Sequence, residues 1–542
     1  MRKATTSPIR RREAPSAFAA PILLALLGLR PASAAPATAS AQGTLHLELL
    51  DELRRPTAAR VYVTGSDGES HQPQPSIHRT TQYDDEPYYY VARRARIDLP
   101  PGDALIEISR GFEYRLRSLE VSIVSGVEQT VRVDLTRWID MPAQGWYSGD
   151  GHVHMNYGGP IHRSPPEGLL MLIAEDVHYG NMVVANKWGS NVIDDEYFTG
   201  AVHPLSRPRH IMRWNEEFRN DGLLGHMSLY ALTELTDPVY TGFGGSDQPY
   251  DFPLNADIAD QVAEQGGYVT GAHPSVFLGE YQGGEHLICI ALGKMSGLEI
   301  MGYGAFTGGA RNMLHLLWNA GFRTVPTAGT DSFLNSTSGD PVGGARCYAR
   351  IDGEFNDESW LDAVRAGRTL VTNGPGLSLS VDGHLPGDVV YWSTGDPPLS
   401  VWVEAASPWR LSEVDLVIDG VVVSRERDDK RQLSLSADIV PEKTGWIEAA
   451  CSGPPGRFVF GGGIFRGTTQ LASTAPVWVV VDGQAHEPFQ AAVTELLGYV
   501  DGFIEEARTV GVYANQAQRD HMEEIYATGR QVYVDLLADR SE

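Results

Sequence analysis

The chain has 542 residues, more than a single hydrophobic core usually serves, so about two to four domains are expected. Hydrophobic residues make up 42% of the sequence and charged residues 21%, which excludes an intrinsically disordered chain. The formal net charge of -26 disfavours a nucleic-acid partner, because binding nucleic acid requires a basic surface. Cys289, Cys347 and Cys451 are too far apart for a disulfide framework or a zinc knuckle and are interpreted as free thiols.

The first 34 residues have the pattern of a targeting segment. Basic residues up to Arg12 precede an apolar run at 17–29, which is too short to span a bilayer comfortably. Small residues at 32–34 then suit signal peptidase. We predict a cleaved signal peptide over 1–34 and an exported protein, periplasmic or extracellular, with an uncleaved membrane anchor as the alternative. The mature chain is expected to contain no transmembrane span.

The rest of the chain divides into four segments by pattern. Short alternating runs separated by turn signals predict an N-terminal β-sandwich over 35–140. From 141 to 376, strand-like runs alternate with helix-like runs, which is typical of a parallel α/β sheet or barrel. Short alternating runs over 377–480 predict a second β-sandwich. Apolar residues at steps of three or four over 481–542 predict a helical hairpin packed on the body.

The central segment has the clearest succession of predicted elements. Strands are expected at 146–154, 182–185, 225–229, 268–272, 298–301 and 324–327, and helices at 165–175, 256–265 and 311–320. In barrels of this kind, active residues gather at the carboxyl ends of the strands.

The first of these strands ends in the sequence GDGHVH, residues 149–154. Side chains two residues apart on a strand point to the same side, so Asp150, His152 and His154 are expected to project together. Two imidazoles on one face form a chelating pair for a transition metal. Asp150 is close enough to act as an acceptor that orients one of the imidazoles.

Further candidate ligands stand near later strand ends. The six side chains expected to meet in one pocket are His152, His154, Glu217, His226, His273 and Asp331. Six ligands that include a bridging carboxylate suit two metal ions about 3.5–4 Å apart. Histidine and carboxylate ligands fit zinc, manganese or iron alike, so the residues do not identify the metal.

A longer stretch around the first motif resembles a known family. Residues 146–159 (WYSGDGHVHMNYGG) are similar to the first motif of CehA/McbA-type metallohydrolases, members of the PHP (polymerase and histidinol phosphatase) superfamily. The blocks at 216–226, 271–274 and 329–331 resemble the later motifs, and the resemblance covers about residues 145–375. It implies an α/β fold with a distorted β/α barrel flanked by two small β-sandwiches. It also implies one metal ion on His152, His154, Glu217 and Asp331, and a second on Glu217, His226 and His273.

The chain departs from the fullest pattern of that superfamily, which binds a third metal ion through three further histidines. Pro160 stands near the first of these places, with His162 only an off-register candidate, and Lys187 and Phe333 stand at the others. Phenylalanine cannot ligate a metal, so two metal ions are expected. Because three-metal sites in the superfamily are built around phosphate, this departure weakens the case for a phosphoesterase.

The sequence therefore predicts an exported binuclear hydrolase acting on an ester, carbamate or amide of a small molecule. The family's namesakes hydrolyse carbamate esters. For this chain the resemblance implies only that class of reaction and no particular substrate. The alternatives are a phosphoesterase and a non-catalytic, metal-stabilised binding module.

Negative charge that develops in such a reaction needs fixed positive charge or hydrogen-bond donors. The candidates are Lys187, Arg346 and Asn373, each at a strand end or on a glycine-rich loop. Lys187 could alternatively be carboxylated into a bridging ligand, but Glu217 already fills that place.

Overall fold

The molecule is a mixed α/β protein in which strands predominate, with seven α-helices among the described residues. The computed structural model describes residues 42–81, 86–187, 189, 191–220, 222–277, 279–302, 305–306, 309–454 and 469–538. The predicted targeting segment lies outside these residues. Residues 41–542 group as one compact unit, so the domain boundaries drawn from the sequence stay predictions.

Eight strands form two sheets in the N-terminal part. They are β1 (Gly43–Leu50), β2 (Ala59–Thr64), β3 (Ile77–Thr80), β4 (Pro87–Val91), β5 (Arg94–Leu99), β6 (Gly102–Ser109), β7 (Arg117–Ile123) and β8 (Glu128–Asp134). The sheet orders are β5-β1-β8 and β3-β4-β2-β6-β7. Leu45, Leu47 and Leu49 alternate with less buried residues along β1, and both sheets contribute side chains to one hydrophobic core.

Strands and helices alternate in the central part. Its elements are β9 (Trp146–His154), α1 (Pro165–Ala174), β10 (Tyr179–Lys187), β11 (Asn191–Ile193), β12 (Ile211–Asn220), β13 (Met227–Tyr230), β14 (Tyr240–Thr241), α2 (Asn255–Glu264), β15 (Tyr268–Gly271), β16 (Val276–Phe277), β17 (Glu280–Tyr281), α3 (His286–Ala291), β18 (Gly297–Gly302), β19 (Ala305–Phe306), α4 (Ala310–Asn319), β20 (Val325–Ala328), β21 (Ser332–Phe333), β22 (Arg346–Arg350), α5 (Asp357–Arg365) and β23 (Thr369–Thr372). Each strand and helix that the sequence predicts here has a counterpart within a few residues.

The strands of the central part pair into a sheet that closes on itself. β9, β10 and β12 are parallel, and so are β15, β18 and β20. The short β21, which follows β20, returns to pair with β9. This closure brings the carboxyl ends of β9, β12, β15 and β20 to one edge, where the candidate ligands lie.

The pairing is mixed and not all-parallel, because β13 runs antiparallel to both β12 and β15. A tight turn after β12 reverses the chain. Oδ1 of Asn220 accepts the N–H groups of Leu223 and Leu224, and Gly225 has a φ of 82°, which favours glycine. His226 therefore precedes its strand and lies beside the end of β12.

The C-terminal part contains seven strands and two long helices among the described residues. They are β24 (Gly376–Val381), β25 (Val389–Trp392), β26 (Leu399–Ile418), β27 (Val421–Ile439), β28 (Gly445–Gly453), β29 (Gln470–Thr474), β30 (Val477–Val481), α6 (Gln490–Thr509) and α7 (Gln516–Ala538). β29 pairs with β23, so this sheet continues from the central one. α6 and α7 run antiparallel, since Arg508 pairs with Glu523, and their apolar faces join the core formed around α3 and α4.

In the part of the chain that the structure describes, no helix has the length and apolar character needed to span a bilayer.

A buried charge cluster joins the N-terminal strands to the start of β10. Asp176, which is 2% exposed, forms ion pairs of 2.8 Å with Arg110 and with Arg137. His178 and His210 stack beside it, with ring centroids 5.9 Å apart. Burial lowers the pKa of His210 to about 4, so the folded protein holds this imidazole neutral at pH 7.

We predict that His210→Asn makes the protein less sensitive to acid. An unfolded histidine is protonated below about pH 6.5. In the folded protein the pKa of His210 is about 4, so the unfolded state binds more protons between these values. The free energy of unfolding therefore falls as the pH drops from about 6.5 towards 4, by up to about 3 kcal/mol from this group. Urea unfolding at pH 7 and pH 4.5 measures the loss, with the exposed His384→Asn as control. An equally large loss in His210→Asn would contradict the assignment.

Candidate metal centre

Glu217 lies at the centre of a cluster of four imidazoles. Its Oε1 is 3.0 Å from Nδ1 of His226, 3.4 Å from Nε2 of His152 and 3.5 Å from Nε2 of His273. Its Oε2 is 3.3 Å from Nε2 of His154. The structure thus brings five of the six predicted ligands together around one carboxylate.

Asp331, the sixth predicted ligand, joins the cluster on the β9 side. Its Oδ1 lies 3.2 Å from Nε2 of His154 and 3.6 Å from Nε2 of His152. The β21–β9 pairing places it there, and its N–H donates to the carbonyl of His152 at 2.9 Å.

The spacing of these atoms suits metal ions. A four-coordinate ion with bonds of about 2.1 Å holds its ligands about 3.4 Å apart, close to the separations seen here. Two sets of side chains have ligand atoms all within 4.8 Å of one another: His152, Glu217 and His273 in one, and His152, His154 and Asp331 in the other. Nδ1 of His226 lies 3.0 Å from Glu217 but has no hydrogen-bond partner among the described residues. An ion between these atoms would satisfy both.

Burial and charge oppose each other in this cluster. Burial alone would lower the pKa of His152, but the surrounding carboxylates, Glu299 foremost, outweigh it and raise the pKa well above its usual value. Burial alone would raise the pKa of Glu217, but the facing histidines lower it well below its usual value. The carboxylates thus carry the charge that would neutralise cations, and metal binding would displace protons from the imidazoles.

The cluster is closed on one side and open on the other. His152, His154 and Glu217 have side chains only 0–3% exposed. Asp331 is 10% exposed, His226 19% and His273 25%. Solvent therefore reaches the cluster at His226 and His273, beside β13 and β15.

Two of the ligands have left-handed backbone conformations, which are uncommon outside glycine. The φ angle is 32° at His273 and 54° at Asp331. Close packing accompanies them: a Cβ at Gly329 would lie 2.4 Å from the Cβ of His152. Backbone strain of this kind concentrates at functional sites.

Glu299, on β18, is a member of the site that sequence reasoning missed. It is 1% exposed, and its Oε2 lies 3.2 Å from Nδ1 of His152. Oγ of Ser228 donates to Oε1 at 2.6 Å, and the N–H of His273 donates to Oε2 at 3.3 Å. By accepting a hydrogen bond from Nδ1–H, Glu299 leaves Nε2 of His152 free to bind a metal, which is the usual role of a carboxylate behind a metal-binding histidine.

Asp150, expected to orient an imidazole, has a different set of partners. Its carboxylate accepts the backbone N–H groups of Gly343 at 2.6 Å, Thr330 at 2.8 Å and His152 at 3.2 Å. The reason is a β-bulge: Asp150 pairs with Gly180 but Val153 pairs with Met182, so β9 carries an extra residue. The bulge breaks the alternation between Asp150 and the histidines, and Glu299 orients His152 instead.

Two of the predicted charge-stabilising residues have structural partners elsewhere. Nε of Arg346 donates to the carbonyl of Gly343 at 2.8 Å, and its guanidinium lies over the ring of Phe112. Asn373 donates to the carbonyl of Thr469 and accepts the N–H of Leu471, which ties β23 to β29. Within the described part of the chain, no hydrogen bond or ion pair joins Arg346 or Asn373 to the candidate metal cluster.

Lys187 is half-buried at the end of β10, where it pairs in register with Asn191 of β11. Within the described residues, no hydrogen bond or ion pair joins it to the cluster. It stays a candidate only by its place at a strand end.

Arg219 provides a cation at the cluster that the sequence reasoning did not select. Its Nε is 3.5 Å from Oε2 of Glu217, and its guanidinium lies over the ring of Tyr157. The signal was present in the sequence, because two residues apart on a strand share a face and Arg219 follows Glu217 by two.

Comparison with known proteins adds little to this geometry. No family model matches the sequence, and no curated protein matches it. Among solved structures, a Bacteroides uniformis beta-glucuronidase has 10% identity over 82% of this chain, with a TM-score of 0.16. A calcium-binding mutant of Bacteroides uniformis beta-glucuronidase 2 has 9% identity and the same TM-score. This chain spans 60% of the length of each. Likeness this weak carries no argument about fold or activity.

We predict that Glu299→Gln weakens metal binding by roughly 10- to 100-fold, because Nδ1 of His152 loses its charged acceptor. Competition with a chromophoric chelator measures the affinity. Glu216→Gln is the matched control. Glu216, on β12, is a buried glutamate like Glu299, but its carboxyl group accepts a hydrogen bond from Thr236 and not from His152. Burial raises the pKa of Glu216 to about 8, so this group is already neutral at pH 7. Equal metal affinity in Glu299→Gln and wild type would show that Glu299 does not support the centre.

Proposed function

We propose that the chain is a metal-dependent hydrolase that holds two divalent transition-metal ions and cleaves an ester, carbamate or amide of a small molecule. The observation that carries the proposal is the shared carboxylate, because Glu217 presents one oxygen to three imidazoles and the other to a fourth. A carboxylate shared in this way suits a bridging ligand of a two-metal site.

The resemblance to CehA/McbA-type metallohydrolases supports the same proposal. We further propose that the closed central sheet is the distorted β/α barrel of the PHP superfamily. One metal ion would lie on His152, His154, Glu217 and Asp331, and the second on Glu217, His226 and His273. The signal-peptide pattern over 1–34 supports an exported enzyme.

When bound, a pair of divalent cations lowers the pKa of water and polarises a carbonyl or phosphoryl group. The residues of the chain prepare the site for this chemistry. Glu299 holds His152 with Nε2 facing the cluster, and Glu217 and Asp331 supply negative charge that retains cations. Arg219 places a fixed positive charge where negative charge on a reacting group can be stabilised.

The open side of the cluster favours an enzyme over a structural metal site. A structural metal is closed off by its ligands, whereas a catalytic metal keeps a position for water or substrate. His226 and His273 are 19% and 25% exposed, which leaves an approach for a small molecule. This exposure supports catalysis over the alternative of a metal-stabilised binding module.

We predict about two transition-metal ions per chain in the purified protein, and not three. Phe333 stands at one of the places where a third ion would need a histidine, and its ring packs 5.3 Å from that of His154 and 5.5 Å from that of Tyr157. Inductively coupled plasma mass spectrometry on protein purified without chelators measures the content. Three tightly bound ions per chain, all required for activity, would refute the two-metal proposal.

We predict that Glu217→Gln loses at least one metal ion and lowers hydrolysis roughly a hundredfold or more, because the charge shared between two cations disappears. The assay is a panel of 4-nitrophenyl esters, carbamates, anilides and phosphoesters, combined with metal analysis. Glu216→Gln on the same strand should keep both metal ions and the activity. If neither variant changes metal content or activity, Glu217 is not a shared ligand and the two-metal proposal is wrong. A metal-loaded wild type that hydrolyses no compound of the panel would favour the binding module. Hydrolysis confined to phosphoesters would favour the phosphoesterase.

A further inference from the structure

A pair formed by Arg219 and Tyr157 flanks the proposed metal centre. Nη1 of Arg219 donates to the carbonyl of Asn186 at 3.0 Å and to the hydroxyl of Tyr157. The guanidinium carbon lies 5.0 Å from the centroid of the Tyr157 ring, and Nε lies 3.5 Å from Oε2 of Glu217. Backbone, ring and carboxylate together hold the guanidinium in one orientation.

Among the described residues, Nη2 of Arg219 and the O–H of Tyr157 have no acceptor, and Nε of Arg219 forms only the 3.5 Å ion pair with Glu217. No described residue accepts a hydrogen bond from Nη2 of Arg219, and 18% of the side chain is exposed. The hydroxyl of Tyr157 accepts from Arg219, so its own O–H can donate to another group.

Once two metal ions are bound, the carboxylates of the proposed centre have no negative charge left to balance that of Arg219. Two divalent cations bring four positive charges, whereas the carboxylates at the cluster, Glu217, Asp331 and Glu299, bring three negative charges. With one hydroxide counted as the nucleophile of the proposed reaction, the metal-loaded pocket is neutral without Arg219, and Arg219 gives it a net positive charge. A cation that is not needed for balance, and that costs free energy to bury beside other cations, indicates an anionic ligand.

We infer that the substrate carries a carboxylate close to the bond that is cleaved, and that Arg219 and Tyr157 bind this carboxylate. The inference rests on the proposed function and names its substrate class. A planar carboxylate has two oxygens, which match the two donors, Nη2 of Arg219 and the O–H of Tyr157. A phosphate monoester has three terminal oxygens and would call for more donors than this pair supplies.

The test uses the full-length, metal-loaded protein and product-like ligands, with metal content measured for every variant. Isothermal titration calorimetry compares malonate, succinate and glutarate with their monoamides, which keep the size but lose one charge. The best dicarboxylate should bind the wild type about 10- to 100-fold more tightly than its monoamide, as expected for charge-assisted hydrogen bonds. Arg219→Gln should remove this preference while both metal ions stay bound. Tyr157→Phe should reduce it.

Two further variants distinguish recognition of the carboxylate by Arg219 from a role of Arg219 in holding Glu217 in place. Arg219→Lys keeps the charge but not the forked geometry, so the preference should fall to an intermediate value. Arg519→Gln is the matched control, because Arg519 also lies over a tyrosine ring, that of Tyr513, and its preference should equal that of the wild type.

Three results would overturn the inference. Equal affinity of wild type for dicarboxylates and monoamides would do so while leaving the two-metal hydrolase intact. So would a preference that survives in both Arg219→Gln and Tyr157→Phe. Tighter binding of phenyl phosphate than of every dicarboxylate, lost in Arg219→Gln, would assign the pair to a phosphoryl group. Failure of the wild type to hold metal is a different outcome, since it removes the proposed function itself.

Discussion

A carboxylate withdrawn from water must be compensated by its surroundings, and Glu217 imposes this requirement on the whole central sheet. Taking one carboxylate out of water costs several kcal/mol unless charges or donors replace the lost hydration. Here the compensation comes from imidazoles on β9, before β13 and after β15. Because these segments lie far apart in the sequence, closing the sheet and assembling the centre are one event.

The surrounding structure keeps these side chains in place by satisfying their remaining polar atoms. Glu299 takes hydrogen bonds from His152, Ser228 and the backbone of His273, and so connects three segments behind the cluster. Asp150 takes three backbone N–H groups and holds the segment before Asp331 against β9. Hydrogen bonds of this kind fix the groups that donate to Glu299 and Asp150 in one arrangement. The left-handed conformations of His273 and Asp331 can persist because their neighbours constrain them.

Sequence patterns predict those features of the fold and the site that depend on residues close together in the chain. They miss the features that depend on residues far apart in it. The period of two along a strand predicts that His152 and His154 share a face, and the same period could have identified Arg219 from Glu217. The β-bulge that separates Asp150 from the histidines depends on the pairing of β9 with β10, which no local pattern records. Glu299 lies 147 residues from His152, in a strand that reads as ordinary core, so only the closed sheet reveals their contact. Arg346 and Asn373 look catalytic by position, but their backbone partners are visible only in three dimensions.

The two residues proposed to bind the substrate lie on different elements, Arg219 on a strand and Tyr157 on a loop. A change at each is therefore expected to affect specificity differently. Arg219 lies on β12 and contacts Glu217, so a change there also alters the electrostatic surroundings of this carboxylate. Tyr157 lies on the loop after β9. The side chain of Asn335 accepts the N–H of Gly158 at 3.0 Å, and Asp194 accepts the N–H of Asn156 at 2.9 Å, so this loop is anchored through hydrogen bonds of its own. Substrate preference can therefore change through the loop without altering a contact of Glu217, whereas a change at Arg219 alters one. A site divided in this way keeps one metal centre while its substrate range varies.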